Sequence, residues 1–422
     1  MSLRPRVLII AAALAAAASA LPGPAAQAAG ARSPDVAAAA PAPAAAAARV
    51  SVAGEEKASD AELRYAAAGR ARRIVIREPG STYVKVHFAS LRLVPGDRVT
   101  VADPAGREVH TYHGDPTVRR IPGDSAHTVH GRPGFAAMSV DGDTAVVTLH
   151  AAPRQNAAAL TRQGFGARID SYYRGFDQGE WAAANPGTFS VCGPDARRDV
   201  SCYQTSHPTE YARAGAVARQ LLKGAGYCTA WRVGNTNRML TNQHCMESAA
   251  DLRASEFQFD YQCATCGGND PRPGTKVSGA ELIKLSPLRD LDYALFSVND
   301  FASIQKFGTL YLDAREPVAQ ERIYIAGHGD VLPKRLSLYE DRDGGGYCKI
   351  DTVQSGVNTG YRCDTSGGNS GSPVLAASSH KVIALHHLGG CPNWGTRISR
   401  VNAEISGLID NRPPAPGTAR TS

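Results

Sequence analysis

No cysteine occurs before Cys192, although nine lie from that residue onward in a chain of 422 residues. The first half is therefore no disulfide-stapled domain, and the chain divides into two units of different character. After Ala20 no apolar run is long enough to cross a bilayer, which takes about 20 residues. Basic runs interleaved with aromatics are also missing. The net charge of +7 is spread as Arg among Asp and Glu, which argues against a nucleic-acid partner. No second Cys-x-x-Cys follows Cys263-Ala264-Thr265-Cys266 at a suitable spacing, so a tight Cys263–Cys266 disulfide is expected in place of a zinc site. No metal and no cofactor is expected.

The length suits two or three domains, because one core rarely serves much more than about 250 residues. Arg4 and Arg6 precede the apolar run Val7–Ala20, and Ala26-Gln27-Ala28 closes it as a cleavage-like triplet. Residues 1–28 therefore read as a secretory signal. The mature chain is expected to be secreted, free of the membrane and monomeric. Export implies disulfides, and an odd count leaves at least one thiol unpaired. Residues 29–72, rich in Ala and Pro at their start, read as a disordered tether.

Short β-branched runs follow. Ile74-Val75-Ile76, Tyr83–Phe88, Arg98–Val101 and Thr144–Leu149 are separated by Gly, Pro and Asp turns. They predict a small β-sandwich over residues 73–152, either a pro-region or a retained accessory domain. Glycines at 164, 166, 175 and 179 mark residues 153–190 as a linker. A second strand-rich unit is expected over 191–412, with helices at Tyr211–Leu222 and Val401–Ile409, and a disordered tail over 413–422.

The chemistry concentrates around Asp364-Thr365-Ser366-Gly367-Gly368-Asn369-Ser370-Gly371-Ser372-Pro373-Val374. A serine hydroxyl attacks well only when a base removes its proton and donors receive the oxyanion. Gly368 lets the backbone turn so that its N–H and that of Ser370 can face one oxygen. The stretch departs from the Gly-x-Ser-x-Gly elbow, since Ser372 stands where the last Gly belongs. A base appears upstream in Met239-Leu240-Thr241-Asn242-Gln243-His244-Cys245, where His244 ends a strand-like run. Cys228 and Cys245 are placed to staple two strands across it. Asp292 precedes the apolar run Tyr293–Phe296, and a carboxylate entering a core needs a partner, which His244 supplies. Asp290 is the rival, set aside because the run begins after Asp292. Local disulfides are plausible for Cys192 with Cys202 and Cys348 with Cys363. Cys363 with Cys391 is a competing pairing.

In the order His244, Asp292, Ser370 the second unit resembles the chymotrypsin-like serine peptidases. It is nearest the bacterial trypsin-like and glutamyl endopeptidase branch. The likeness is carried by Leu240–Cys245, Asp292–Leu295, Gly367–Val374 and Val382–His386. It implies an all-β chain, with a double β-barrel catalytic domain behind the sandwich-like N-terminal domain. It also implies hydrolysis of protein or peptide substrates through an acyl-enzyme. By analogy with trypsin-like enzymes, Asp364 would floor the primary pocket and take a substrate Arg or Lys, with Gly389 and Gly395 leaving the walls open. By analogy with the glutamyl branch, His386, assisted by Thr365, would hold an acidic side chain. The plainer readings are an Asp364 bonded to buried backbone and a His386 or His387 satisfied within its strand. The resemblance further implies a zymogen, activated by a cut between Pro153 and Cys192. An inactive protease-like binder is the alternative of another class.

Overall fold

The computed structural model describes residues 48–66, 72–341 and 345–414. The expected signal, the start of the expected tether and most of the expected tail lie outside them. Among the described residues no helix is long and apolar enough to cross a membrane.

The N-terminal unit is a sandwich of two antiparallel sheets. One orders Arg73–Arg77, Thr144–His150, Arg98–Ala102 and Val109–Tyr112. The other orders Gly54–Arg64, Gly166–Gly175, Tyr83–Arg92, Phe135–Ala137 and His127–Thr128. Alternate side chains of both sheets, among them Val84, Val86, Phe88, Val99, Val101, Val147 and Ile169, meet in one buried core.

The sandwich reaches beyond both ends of the span expected for it. Gly54–Arg64 falls in the expected tether, yet it pairs along its length with Gly166–Gly175. Its Glu, Lys, Ser and Asp residues have little strand preference, and their alternating exposure is that of a charged edge strand. Gly166–Gly175 falls in the expected linker but sits between two partner strands, so its glycines bound the strand and do not interrupt it. The same stretch holds the helices Ala157–Arg162 and Gln178–Ala184. The second is capped by Asp177 and Glu180 in a reciprocal box.

In the second unit six strands close a barrel: Val217–Leu222, Gly226–Arg232, Met239–Thr241, Ser255–Phe259, Thr275–Ser286 and Tyr293–Val298. Trp231 pairs with Leu240 and closes the ring. The helix expected at Tyr211–Leu222 is half right. Pro208–Ala214 is helical, but Gly215 ends it beneath the Phe307 carbonyl, and Val217–Leu222 becomes a strand bonded on both sides. The second barrel is a sheet running from Arg335–Ser337 through Ile323–Gly327, Pro373–Ala376, Val382–Leu388, Asn393–Arg397 and Asn358–Tyr361 to Ile350–Ser355. Bridges at Tyr339–Tyr347 and Arg322–Lys349 draw its ends together. The two barrels share a core of Trp231, Leu240, Tyr293, Tyr324, Leu336 and Leu385, and the helix Ile398–Ile405 packs Ile398, Val401 and Ile405 into it. The chain is thus all-β, a sandwich followed by a double β-barrel.

The sandwich is seated on the first barrel through buried charge. Lys85 Nζ lies 2.8 Å from Glu256 Oε2, with both side chains buried. Ser139 N–H donates to the same carboxylate at 2.9 Å. Arg219 and Lys276 reach Asp141 at 3.0 and 3.2 Å.

Candidate active site

Strand register decides where the histidine and the aspartate meet. Thr241 pairs with Ala294 and Leu240 with Leu295, so the residues just past Thr241 face those just before Tyr293. His244 and Asp292 occupy these two ends. Asp292 is fully buried and takes a left-handed backbone, φ +50°. Its Oδ1 accepts the His244 backbone N–H at 3.0 Å, and its Oδ2 lies 2.8 Å from His244 Nδ1. Asn242 donates to the Asp292 carbonyl at 2.9 Å. Burial alone would raise the Asp292 carboxyl, but His244 and His387 beside it hold it well below the usual carboxylate range. Asp290, the rival carboxylate, is exposed and leans toward Arg289.

Ser370 lies in the turn between Thr365–Ser366 and Pro373–Ala376. Its carbonyl accepts the Thr229 N–H at 2.9 Å, which ties it to the first-barrel strand carrying Cys228. The Cys228–Cys245 disulfide sits between that strand and His244, as expected, and Cys245 Sγ lies 3.9 Å from the Ser370 carbonyl. His244 Nε2 has no hydrogen-bond partner among the described residues. The backbone N–H groups of Gly368 and Ser370 likewise meet no acceptor there. Gly368 has φ +101°, and a Cβ on it would lie 2.7 Å from the His328 carbonyl. No residue but glycine fits. Cys228, His244 and Cys245 are near enough to hold a metal, but both sulfurs are joined in the disulfide, leaving no thiolate ligand.

Beside Ser370 opens a pocket of about 390 Å³, lined by Arg49, Thr188, Ser190, His386, His387 and the Ser366-Gly367 turn among others. None of its lining residues carries a carboxylate. The expectation that Asp364 floors it needs correction. Asp364 is buried with both oxygens engaged, by Cys192 N–H at 2.9 Å and Ala196 N–H at 2.8 Å. Burial pushes its pKa up. Thr365 also turns away, toward Asn393 Oδ1 at 2.9 Å. Gly389 does line the pocket, since a Cβ there would strike Ser190 Oγ. Gly395 lies opposite His386 in the sheet and makes room for the Tyr361 hydroxyl. That hydroxyl lies 2.8 Å from His386 Nδ1, and burial pulls the His386 pKa down to about 3.

Consecutive strand residues normally point to opposite faces, yet His386 and His387 both line this pocket. The register shifts between His386 and Leu388, and the bulge turns both rings inward. His387 Nδ1 lies 3.2 Å from Asp292 Oδ2, and its Nε2 lies 3.0 Å from Asn358 Oδ1. Sequence reasoning passed over this role. The one signal for it was the doubled histidine, which carries no statement of where either ring points.

Three disulfides besides Cys228–Cys245 are formed: Cys192–Cys391, Cys202–Cys266 and Cys348–Cys363. Cys348–Cys363 matches expectation. Cys192 reaches across to Cys391 behind the pocket, while Cys202 takes Cys266 and leaves Cys263 a buried free thiol. The expected Cys192–Cys202 and Cys263–Cys266 pairs are therefore absent. A larger cleft, about 1180 Å³, lies between the sandwich turns at Ser81 and Gly142 and the Cys263–Cys266 loop, and neither His244 nor Ser370 lines it.

A family model described as a trypsin-like peptidase domain matches residues 228–385. Among curated proteins, a secreted RxLR effector protein of Plasmopara viticola is 31% identical over 322 residues, covering 74% of this chain and 76% of the relative. An uncharacterized protein of Sinorhizobium fredii is 29% identical over 158 residues, 36% of this chain and 24% of the relative. Among solved structures, a Glu endopeptidase in complex with MPD is similar at TM-score 0.40 and 18% identity, over 53% of this chain and 100% of that one. A serine endoprotease from Yersinia pestis is similar at TM-score 0.36 and 13% identity, over 49% of this chain and 67% of that one.

Proposed function

Because the chain belongs to the trypsin-like peptidases of chymotrypsin-like fold, we propose that it is a secreted serine endopeptidase with Ser370 as nucleophile, His244 as base and Asp292 as orienting carboxylate. The observation that carries this reading is the grip of Asp292 on His244, through both ring and backbone N–H. It fixes the tautomer that leaves Nε2 to accept the Ser370 proton. Ser370 Oγ then attacks the scissile carbonyl, and Gly368 and Ser370 N–H receive the oxyanion. His244 returns the proton to the leaving amine, and water repeats the cycle on the acyl-enzyme.

For the residue before the scissile bond we favour Glu or Asp over Arg or Lys. The pocket holds no carboxylate to pair with a cation, while His386 and Arg49 line it. The Tyr361 hydroxyl lies 2.8 Å from Nδ1; in the tautomer where it donates there, the neutral His386 ring carries its proton on Nε2, a donor for a substrate carboxylate. The Plasmopara viticola relative is described as secreted, which supports export.

The deciding experiment treats the purified chain with a fluorophosphate and offers peptides differing only in the residue before the bond. Labelling of Ser370 alone, lost in Ser370→Ala, and cleavage after Glu are expected. Cleavage after Arg alone would overturn the pocket reading. Turnover that survives in Ser370→Ala would overturn the nucleophile, and binding without turnover would leave a non-enzymatic binder.

A further inference from the structure

The turn Ser366–Ser370 is braced by chain that precedes the peptidase barrels. Gly367 N–H donates to the Thr188 carbonyl at 3.0 Å, and Phe189–Ser190 pairs with Thr365–Ser366 as a short ladder. A Cβ on Gly367 would lie 2.4 Å from Ser51 Oγ and 3.0 Å from Thr188 Oγ1 and from the Trp181 ring. These three residues form a wall directly behind the turn. Ser51 is itself fixed, since it pairs with Tyr227 as an added barrel strand, and Asn185 clamps the neighbouring Val52 backbone at 2.8 and 2.7 Å.

A cation also holds the turn. The buried Arg197 side chain donates to Ser366 Oγ and pairs with Asp195 at 2.9 Å and Asp330 at 2.8 Å. Asp330 N–H donates in turn to the Gly367 carbonyl at 3.1 Å. The zymogen expectation requires a new terminal ammonium to complete the pocket, and an ammonium buried there needs a carboxylate. Asp364 is engaged by Cys192 and Ala196, and Asp330 already faces Arg197. Asn369, beside Ser370, is neutral. In the continuous chain it is Arg197, and not a terminal ammonium, that meets Ser366 and the Asp330 carboxylate.

We propose that Arg197 is the positioning residue of the oxyanion turn, with Ser51, Trp181 and Thr188 as the wall behind it, so that the chain uncut between Pro153 and Cys192 is the competent form. This rests on reading Ser366–Ser370 as the oxyanion turn of a peptidase. Its consequence is that the sandwich and the segments flanking it are working parts of the enzyme and not a removable pro-region.

The test compares Arg197→Gln and Arg197→Lys in the full chain. Amide exchange over residues 366–370 is expected to quicken at least tenfold in Arg197→Gln and to recover in part in Arg197→Lys, which keeps the cation but not the fork. Per active site titrated with a fluorophosphate, kcat should fall about 100-fold in Arg197→Gln, with KM for a small ester within about threefold. Unchanged exchange in that turn would overturn the proposal whether or not the chain cuts peptides. Equal quickening throughout the second barrel would overturn it too. The intact mass of the labelled protein reads the remaining point: label on the continuous chain is expected, and label confined to chain cut between Pro153 and Cys192 would refute it. An exchange response with no labelling of any form would defeat the peptidase reading alone.

Discussion

Asp292 Oδ2 stands 3.2 Å from Nδ1 of His387. It is the same oxygen that His244 Nδ1 reaches at 2.8 Å, so one buried carboxylate orients toward two imidazoles. His387→Ala leaves that carboxylate held by His244 alone. We expect kcat to fall about tenfold with KM within about threefold, and His387→Asn, which keeps a donor, to restore part of the loss. Stability reports the same contact. Asp292 is held below the ordinary carboxylate value, so its contribution is present above about pH 4 and lost as pH falls through the lowered folded value. In His387→Ala the folded value moves back toward the ordinary one, and urea unfolding should show a shallower loss below about pH 4.

Gly368→Ala tests the oxyanion turn. The added methyl meets the His328 carbonyl and the Tyr227 ring, and φ +101° disfavours any side chain. The turn must move, and kcat for a small ester should fall about 100- to 1,000-fold while KM changes little. Steady-state rates per titrated site decide it; a drop confined to KM would mean that the N–H groups of this turn do not meet the oxyanion.

His386 gives stability a second pH dependence. Burial lowers its pKa from 6.5 to about 3, so between those values the unfolded chain binds a proton that the folded chain refuses. Stability from this ring is therefore full above about pH 6.5 and declines on acidification, by about 1.4 kcal/mol per pH unit at most. His386→Asn should flatten the slope of unfolding free energy between pH 6 and 4. His130 in the sandwich, pulled down to about 2 by burial, retains a slope of its own. An identical slope in parent and variant would remove His386 from the buried, neutral state described.

Lys85→Met leaves Glu256 buried without the cation 2.8 Å away. Burial raises the Glu256 carboxyl, and Lys85, Lys276 and Ser139 together hold it well below the usual range. Breaking one side of such a pair costs about 3–5 kcal/mol, whereas replacing both sides costs less. Chemical unfolding of Lys85→Met and of the Lys85→Met/Glu256→Leu double variant measures both. Parent-like stability in the single variant would show that sandwich and barrel are not joined there.

Non-reducing peptide mapping should recover Cys192–Cys391, Cys202–Cys266, Cys228–Cys245 and Cys348–Cys363. Cys263 is buried, and burial raises its thiol pKa, so alkylation should require unfolding and then add one group per chain. Recovery of a Cys263–Cys266 peptide would contradict the fold of that loop.

The sequence by itself determined the all-β class and the identity of the chemical candidates. Each rests on short-range pattern: a histidine ending the run Met239–Thr241, an aspartate opening Tyr293–Val298, a glycine-rich turn ahead of Ser370. Such features are written within a few residues, because strand alternation and glycine's backbone freedom are local properties. The tertiary structure alone decided which partners those residues have. By sequence Asp364 leads His386 for the pocket, but in the fold the backbone N–H groups of Cys192 and Ala196 take both Asp364 oxygens. Gly54–Arg64 is a strand because Gly166–Gly175 offers it an edge, not because its residues favour one. The Cys192–Cys391 bond spans 199 residues, and Arg197 meets Ser366 across a comparable distance. Contacts at that separation depend on how barrels and sandwich pack, and no local periodicity records them.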